Sequence, residues 1–488
     1  MMRPGRLLAP ALGLIAAVLA ACDLAPPETT PLMEIPTTYK EGDAWALADP
    51  RDAAPSEAWW RVFGDAHLDS LEAQIESANQ DLRAAVARFD EARAQAAIAR
   101  ADLFPTVGAS GAATSTGLSG AVANPLPARR YGNYGLGLDL QYELDVWGRV
   151  RNAAKAGRER AQAAAGDVAA VDLRLQAELA TDYFVLRADD AQQAILDRTV
   201  ASYAKAFELN KARFETGYGA ETEVAASEAQ YRLAQTQAAD IGLQRSQLEH
   251  AIAILIGKPP ATFSLPANPL TGAPPQVAAE LPGRLLERRP DVAAAERRVA
   301  AANAEIGVAR VAYYPSFSLG GFVDTQAAQP SRLFTAPATA WSVGPSAAFA
   351  LFDVGRRRAL NAQAKAAYQE LVANYRQSVL DAYAQVEDSL AAIRQLGREA
   401  DSQEAGVAAA RQSNAQASRL FAGGLASYDD VVTTENIELA AELTEARIRG
   451  QRMVAAASLI EALGGGWTRE GLRSDSNWTP SAEKPGSR

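Results

Sequence analysis

From Tyr134 to Val146 the chain alternates with a period of two. Tyr134, Leu136, Leu138, Leu140, Tyr142, Leu144 and Val146 fall on one side, and Gly135, Gly137, Asp139, Gln141, Glu143 and Asp145 on the other. An extended strand turns successive side chains to opposite faces. The segment is therefore predicted to have an unbroken apolar face and a carboxylate-bearing one, the arrangement expected where lipid lies on one side and water on the other. A second such stretch runs from Trp341 to Leu351, with Trp341, Val343, Phe349 and Leu351 on the apolar side and Ser342, Gly344, Ser346 and Ala348 opposite. Pro105 to Ser115 and Pro315 to Asp324 alternate less sharply and are the expected partners, giving hairpins over about 105–146 and 315–352. Any one of these segments reads equally well as a half-buried strand of a soluble sheet. Tyr134, Trp147 and Trp341 at the strand ends suit an interfacial aromatic belt.

The rest of the chain has helical periodicity. Leu68 to Leu103 is dominated by Ala, Arg, Glu and Gln, contains no proline, and is predicted to be helical until Pro105. Arg149 to Phe214 also lacks proline, so a helix there runs roughly 100 Å at 1.5 Å per residue. Leu196, Val200, Tyr203, Phe207 and Phe214, with Asn210 between the last two, form a heptad seam, and Tyr368, Val372, Tyr375, Val379, Ala382 and Val386 form another. Glycine-containing turns follow, at Thr216-Gly217-Tyr218-Gly219 and Ala422-Gly423-Gly424-Leu425, because glycine tolerates the left-handed backbone that reverses a helix. Returning helices are expected from Glu221 to about Ile256 and from Tyr428 to about Leu463.

These signals occur twice. Phe214, Gly217, Val224 and Gly257 recur as Phe421, Gly424, Val431 and Gly464, each shifted by 207 (421−214, 424−217, 431−224, 464−257). Ala99-Arg100 with Phe104-Pro105 returns as Ala309-Arg310 with Tyr314-Pro315, shifted by 210 (315−105). Units this long are whole subdomains rather than solenoid repeats. The expected organisation is a first repeat over 67–257, a proline-rich linker over 258–282, a second repeat over 283–464 and a tail over 465–488. Each repeat holds a helix, a β-hairpin and a long helical hairpin.

Composition narrows the function. A net charge of −10 with no basic stripe argues against a nucleic-acid partner. Two histidines, His67 and His250, leave little for metal binding or acid–base chemistry, and no phosphate-binding loop, zinc motif or nucleophile elbow is present. No catalytic residue, cofactor or metal site is therefore assigned. Arg3 and Arg6 precede an apolar run from Leu7 to Ala21, too short for a spanning helix and predicted to be a signal segment over 1–21. It ends in Leu19-Ala20-Ala21-Cys22, which matches a lipobox and makes the sole cysteine, Cys22, the expected lipidation site. The arm over 22–66 is rich in Pro, Thr and acidic residues up to about Pro55 and is expected to be extended. Asp23 is of the type that, in enteric bacteria, resembles an inner-membrane retention signal.

Two hairpins give four strands, too few to close a barrel, and open sheet edges are not tolerated in hydrocarbon. Two copies give about eight strands, a barrel normally plugged by side chains, whereas three give about twelve and leave room for water. A homotrimer is the smallest pore-forming assembly, and its lumen would be lined by Asp139, Gln141 and Glu143. The fold class is thus an α+β membrane protein combining coiled-coil hairpins with four β-strands per chain.

The lipobox, the two helix-to-strand prolines, both turn motifs and Leu144-Asp145-Val146-Trp147-Gly148-Arg149 with its echo Phe352-Asp353-Val354-Gly355-Arg356 together resemble the TolC-like outer-membrane efflux factors, specifically their OprM/NodT-type lipoprotein branch. The resemblance spans Cys22 to Gly464. It implies a trimer with a twelve-stranded β-barrel in the outer membrane, a helical tunnel extending into the periplasm, and docking to a periplasmic adaptor protein and an inner-membrane pump, usually of the resistance-nodulation-division type. It also implies a periplasmic gate of acidic rings, for which Glu223 and Asp430 are the matching positions with Asp429 an extra carboxylate beside Asp430, and adaptor docking at the turns bearing Gly217, Gly219, Gly423 and Gly424. Helix N-terminal acids that complement the dipole are the alternative for Asp429 and Asp430. Two departures stand out. Val431-Val432-Thr433-Thr434 lacks a second aspartate ring, and Phe421 replaces a gate-locking tyrosine of some members. A lipid-anchored periplasmic coiled-coil adaptor or scaffold is the competing function, but it leaves the amphipathic strands unexplained.

Overall fold

A computed structural model describes residues 58–119, 130–275 and 288–467, residue 121, and residues 23–29, 31, 33, 36 and 38–42 of the arm. The signal segment, Cys22, the end of the linker and the tail beyond 467 lie outside the described residues.

Seven α-helices and four β-strands are described: α1 Ala66–Ala78, α2 Gln80–Ala101, β1 Thr106–Gly117, β2 Arg130–Leu144, α3 Arg149–Glu215, α4 Glu221–Leu255, α5 Pro290–Val311, β3 Ser316–Ala327, β4 Thr339–Ala348, α6 Arg356–Ala422 and α7 Tyr428–Ala462. The duplication is exact in length for several pairs: α3 and α6 have 67 residues each, and α4 and α7 have 35. Likewise α2 and α5 have 22 and β1 and β3 have 12. Two expectations need correction, one for a strand and one for a helix. β4 ends at Ala348, so Phe349 and Leu351 lie beyond the strand. The helical run from Leu68 is broken at Asn79, whose backbone is extended. Asn79 serves both sides of the break, accepting from Leu82 N at 3.0 Å and donating to the Leu255 carbonyl at 2.8 Å.

All four long-hairpin helices end alike. Gly217, Gly257, Gly424 and Gly464 take positive φ values of 69–95°. In each, the glycine N–H and the next N–H reach back to carbonyls three and five residues earlier, as in Gly217→Phe214 and Tyr218→Arg213 or Gly424→Phe421 and Leu425→Leu420. This is the Schellman pattern, which satisfies helix-end carbonyls and requires the left-handed residue that only glycine adopts without strain.

The chain divides into two compact units. One contains 88–164 and 294–376 with the first part of the arm, and so holds the whole sheet. Helices α2 and α3 approach closely there, since a Cβ on Gly157 would lie 3.2 Å from the Ala96 Cα. The arm is pinned by Asn152 to the Asp23 carboxylate at 2.7 Å, Arg310 to the Leu24 carbonyl, Asn303 to the Pro26 carbonyl, and Lys155 to Glu28. The other unit contains 58–87, 165–275, 288–293 and 377–467 among its described parts, with the later part of the arm. Its core is formed by fully buried Trp59, Leu68, Ile75, Leu179, Phe184, Ile252 and Val386 among others. The heptad seam of α3 buries Leu196, Tyr203 and Asn210, seven residues apart, while Phe214 is exposed. Glu41 pairs with Arg394, and the Lys40 and Glu41 N–H groups donate to Glu387, fixing the arm on α6.

Candidate functional site: a two-faced sheet and the helical turns

The four strands form one antiparallel sheet in the order β1-β2-β3-β4, leaving β1 and β4 as edges. Residues paired across strands share a face, so the register assigns every side chain. Asp139 pairs with Gly108 and Phe322, Gln141 with Thr106 and Gly320, and Glu143 with Ser318. Continuing to β4 adds Ser342, Gly344 and Ser346. Ser110, Asp324 and Gln326 also lie on this face. The opposite face carries Val107, Leu136, Leu138, Leu140, Tyr142, Phe317, Leu319, Val323, Trp341 and Val343. Val107, Leu136, Leu138, Val323, Trp341 and Val343 on that face are exposed, Trp341 at 74%, and the others are half-buried. A soluble sheet hides one face against a core. This one leaves large hydrophobics bare on one face and carboxylates and hydroxyls on the other, which suits lipid outside and water inside. Gly108 makes room for the Asp139 carboxylate, because a Cβ on it would collide with that side chain. Glu143 is bonded bidentately by Arg149 at 2.7 and 2.5 Å, tying the end of β2 to the start of α3.

The strand-to-helix junctions follow one design with one difference. Asp145 accepts from Val150 N and Arg151 N, and Asp353 accepts from Gly355 N and Arg357 N; each also receives an arginine side chain. Trp147 is a belt residue by sequence, but its indole is committed to packing: Nε1 donates to the Pro315 carbonyl at 2.8 Å and the ring lies 4.8 Å from Tyr314. Val354 has φ of +53°, the one described non-glycine residue in the left-handed region.

At the helical turns the predicted residues separate. Gly217 and Gly424 are the left-handed residues, whereas Gly219 and Gly423 have ordinary φ. Phe421 packs 5.7 Å from the ring of Tyr428, and the Arg213 guanidinium lies 5.6 Å from the Phe421 ring. Asp430 closes a capping box: Ser427 N and Oγ donate to its carboxylate at 2.9 and 2.7 Å, and Asp430 N donates to Ser427 Oγ at 3.2 Å. The Ser427 bonds hold the Asp430 carboxyl below its usual range, so it stays charged under mildly acidic conditions. Asp429 beside it is exposed. Glu223, equivalent to Asp430, follows Ala220, which supplies no side-chain cap. One Glu223 oxygen is buried without a hydrogen-bond partner among the described residues. Burial raises the Tyr428 phenol, helped by the Glu435 and Glu223 charges. Sequence reasoning missed Tyr428 and Arg213; the polar Asn210 within the apolar seam was the one signal that this end is a polar cluster.

Among the described residues no helix is long and apolar enough to cross a membrane, and no group of three or more His, Cys, Asp or Glu residues is arranged to hold a metal ion. The two-faced sheet joined to long helical hairpins is the architecture of an outer-membrane channel subunit. The chain belongs to the outer membrane efflux protein family, which it matches over residues 71–258 and 281–465. It is 31% identical to the pyoverdine export outer membrane protein OpmQ of Pseudomonas aeruginosa over 93% of this chain and 96% of that one. It is 29% identical to the cation efflux system protein CusC of Escherichia coli K12, over 93% and 98%. Among solved structures it superposes on the outer-membrane channel OprN with a TM-score of 0.83 at 29% identity, covering 91% of this chain and all of that one. The chain is an outer-membrane efflux protein, and the periplasmic scaffold reading falls.

Proposed function

We propose that three copies close their four-stranded sheets into a twelve-stranded barrel and form the outer-membrane conduit of a tripartite efflux system. A periplasmic adaptor and an inner-membrane pump, of the resistance-nodulation-division type, complete it. The observation that carries this reading is the single-layer sheet with one apolar and one polar face and both edges unpaired. Unpaired strand edges cost several kcal/mol per group in hydrocarbon, which further copies remove. Cys22 carries the lipid that anchors the mature N-terminus in the outer membrane. The turns at Gly217 and Gly424 contact the adaptor, and Glu223, Asp429, Asp430 and Phe421 frame the periplasmic gate. Relatives are named for pyoverdine export and cation efflux; the low histidine count gives no support to a metal-specific cargo here. The test is extraction from outer membranes followed by electrophoresis with and without heating. Heat-modifiable trimers are expected, and soluble monomers would overturn the reading.

A further inference from the structure

The duplication supplies a template for how copies meet. Within one chain, β2 of the first repeat pairs with β3 of the second in a register where Tyr134 faces Ala327 and Leu144 faces Phe317. The hairpins superpose by 207 residues for β2 onto β4 and 210 for β1 onto β3, because Thr106 faces Gln141 where Ser316 faces Ala348. Applying these shifts to the β2–β3 register sets β4 against β1 of the next copy. Trp341 then faces Gly117, Val343 faces Ser115, Ser346 faces Ala112 and Ala348 faces Ser110. This register keeps Trp341 and Val343 on the apolar face and Ser342 and Ser346 on the polar one across the join. A one-residue slip inverts every side chain.

The same mapping sends the Trp147 contact on Tyr314 and Pro315 to a contact between the second junction and Phe104-Pro105 of the next copy. There the chain departs from its own template. Asp145-Val146-Trp147-Gly148-Arg149 becomes Asp353-Val354-Gly355-Arg356, one residue shorter and without the tryptophan. The shorter turn is made by the left-handed Val354. It leaves Phe352 and Val354 each 86% exposed and Phe104 63% exposed in the single chain. We propose that the seam between copies repeats the β2–β3 register, and that Phe352 of one copy packs on Phe104 of the next in place of the indole hydrogen bond. Strand pairing is common to both seams, and they differ at the junction: within a chain it adds the Trp147 hydrogen bond and its ring contact with Tyr314, and between chains a ring contact without a side-chain hydrogen bond. This rests on the trimeric reading above.

Cysteine pairs test the register. β1 and β4 lie on opposite edges of one sheet, about 14 Å apart at ~4.8 Å per strand, so a disulfide between them joins two copies. In the full-length chain, Ala112→Cys with Ser346→Cys and Ser115→Cys with Val343→Cys should give covalent dimers and trimers on oxidation. Thr114→Cys with Ser346→Cys, a two-residue slip, should stay largely monomeric on denaturing gels, because diagonal neighbours lie ~7–8 Å apart. Single-cysteine variants control for Cys22. Faster linking of the slipped pair, or trimers that link in neither register, overturns the register while leaving the trimer intact; absence of trimers overturns both. For the aromatic contact, Phe104→Ala and Phe352→Ala should each lower the temperature of trimer dissociation, and the double variant should lose no more than either alone. Phe334→Ala, an equally exposed ring outside the seam, should leave it unchanged. Additive losses, or none, overturn the contact.

Discussion

Glu72 should make the protein lose stability as pH rises, and Glu72→Gln should remove that dependence. Its side chain is buried on α1 with only 2% of the residue exposed, and neither oxygen has a hydrogen-bond partner among the described residues. Burial, with the Asp172 and Asp69 carboxylates nearby, pushes its pKa up to about 10 from 4.5. The folded chain therefore holds one more proton than the unfolded chain from about pH 4.5 to about 10. Over that window stability falls by as much as ~1.4 kcal/mol per pH unit, and at pH 7 the loss reaches roughly 3 kcal/mol relative to acid conditions. Glutamine keeps the shape and requires no proton, but its unpartnered amide costs about 1–3 kcal/mol. The variant should be near neutral at pH 7 and increasingly more stable above it. Asp172, raised to about 6 by burial and Glu76, shapes the curve mainly below pH 6.5. Thermal midpoints of detergent-extracted protein between pH 6.5 and 9 therefore isolate Glu72. Parallel midpoint curves for both proteins would refute the reasoning.

Ala at Gly257 or Gly464 adds a Cβ that collides with the Ala78 or Arg288 carbonyl on top of left-handed strain, whereas Gly217 has no atom within 4 Å of the added group. The first two should cost about 3 kcal/mol or more and Gly217→Ala about 1, read from thermal midpoints. Asn79→Ala removes the α2 cap and strands the Leu255 carbonyl, an expected loss of about 2 kcal/mol in the same assay. Gly108→Ala should reduce the yield of heat-modifiable trimers in outer membranes, and Asp139→Ala in the same chain should restore it, since the clash is with the Asp139 carboxylate.

What was legible in the sequence followed from periodicities that the fold could not override. The alternation around Asp139 set the faces of β2, and the 207-residue spacing of glycines located all four Schellman turns, because each needs a residue free of Cβ strain. The break at Asn79 was not legible. Its neighbours are strong helix formers, and the cause is tertiary, a carbonyl at Leu255 that captures the amide. The end of β4 was misjudged because the apolar alternation runs on through Phe349 and Leu351 after the strand stops. Trp147 looked like a belt residue because no local signal points to a carbonyl 168 residues away. At the helical turns types were readable but partners were not: Asp430 matches a charged-ring position by motif, and its capping box with Ser427 shows only in the structure.

That double use separates the two equivalent acids, and a set of three variants tells their roles apart. Asp430 supports its helix through Ser427, while Glu223 caps nothing and presents a buried, unpaired oxygen near Tyr428. Asp430→Asn should both fray the start of α7 and remove a charge, so its thermal midpoint falls together with cation preference in planar-bilayer conductance. Glu223→Gln removes charge from a position with no capping duty, so selectivity or conductance should change with the midpoint held. Asp429→Asn, exposed beside the cap, should lower cation preference alone. If neither Asp429→Asn nor Glu223→Gln alters selectivity, the turn acids complement the helix dipoles and the constriction is set by Phe421, Tyr428 and Arg213 instead.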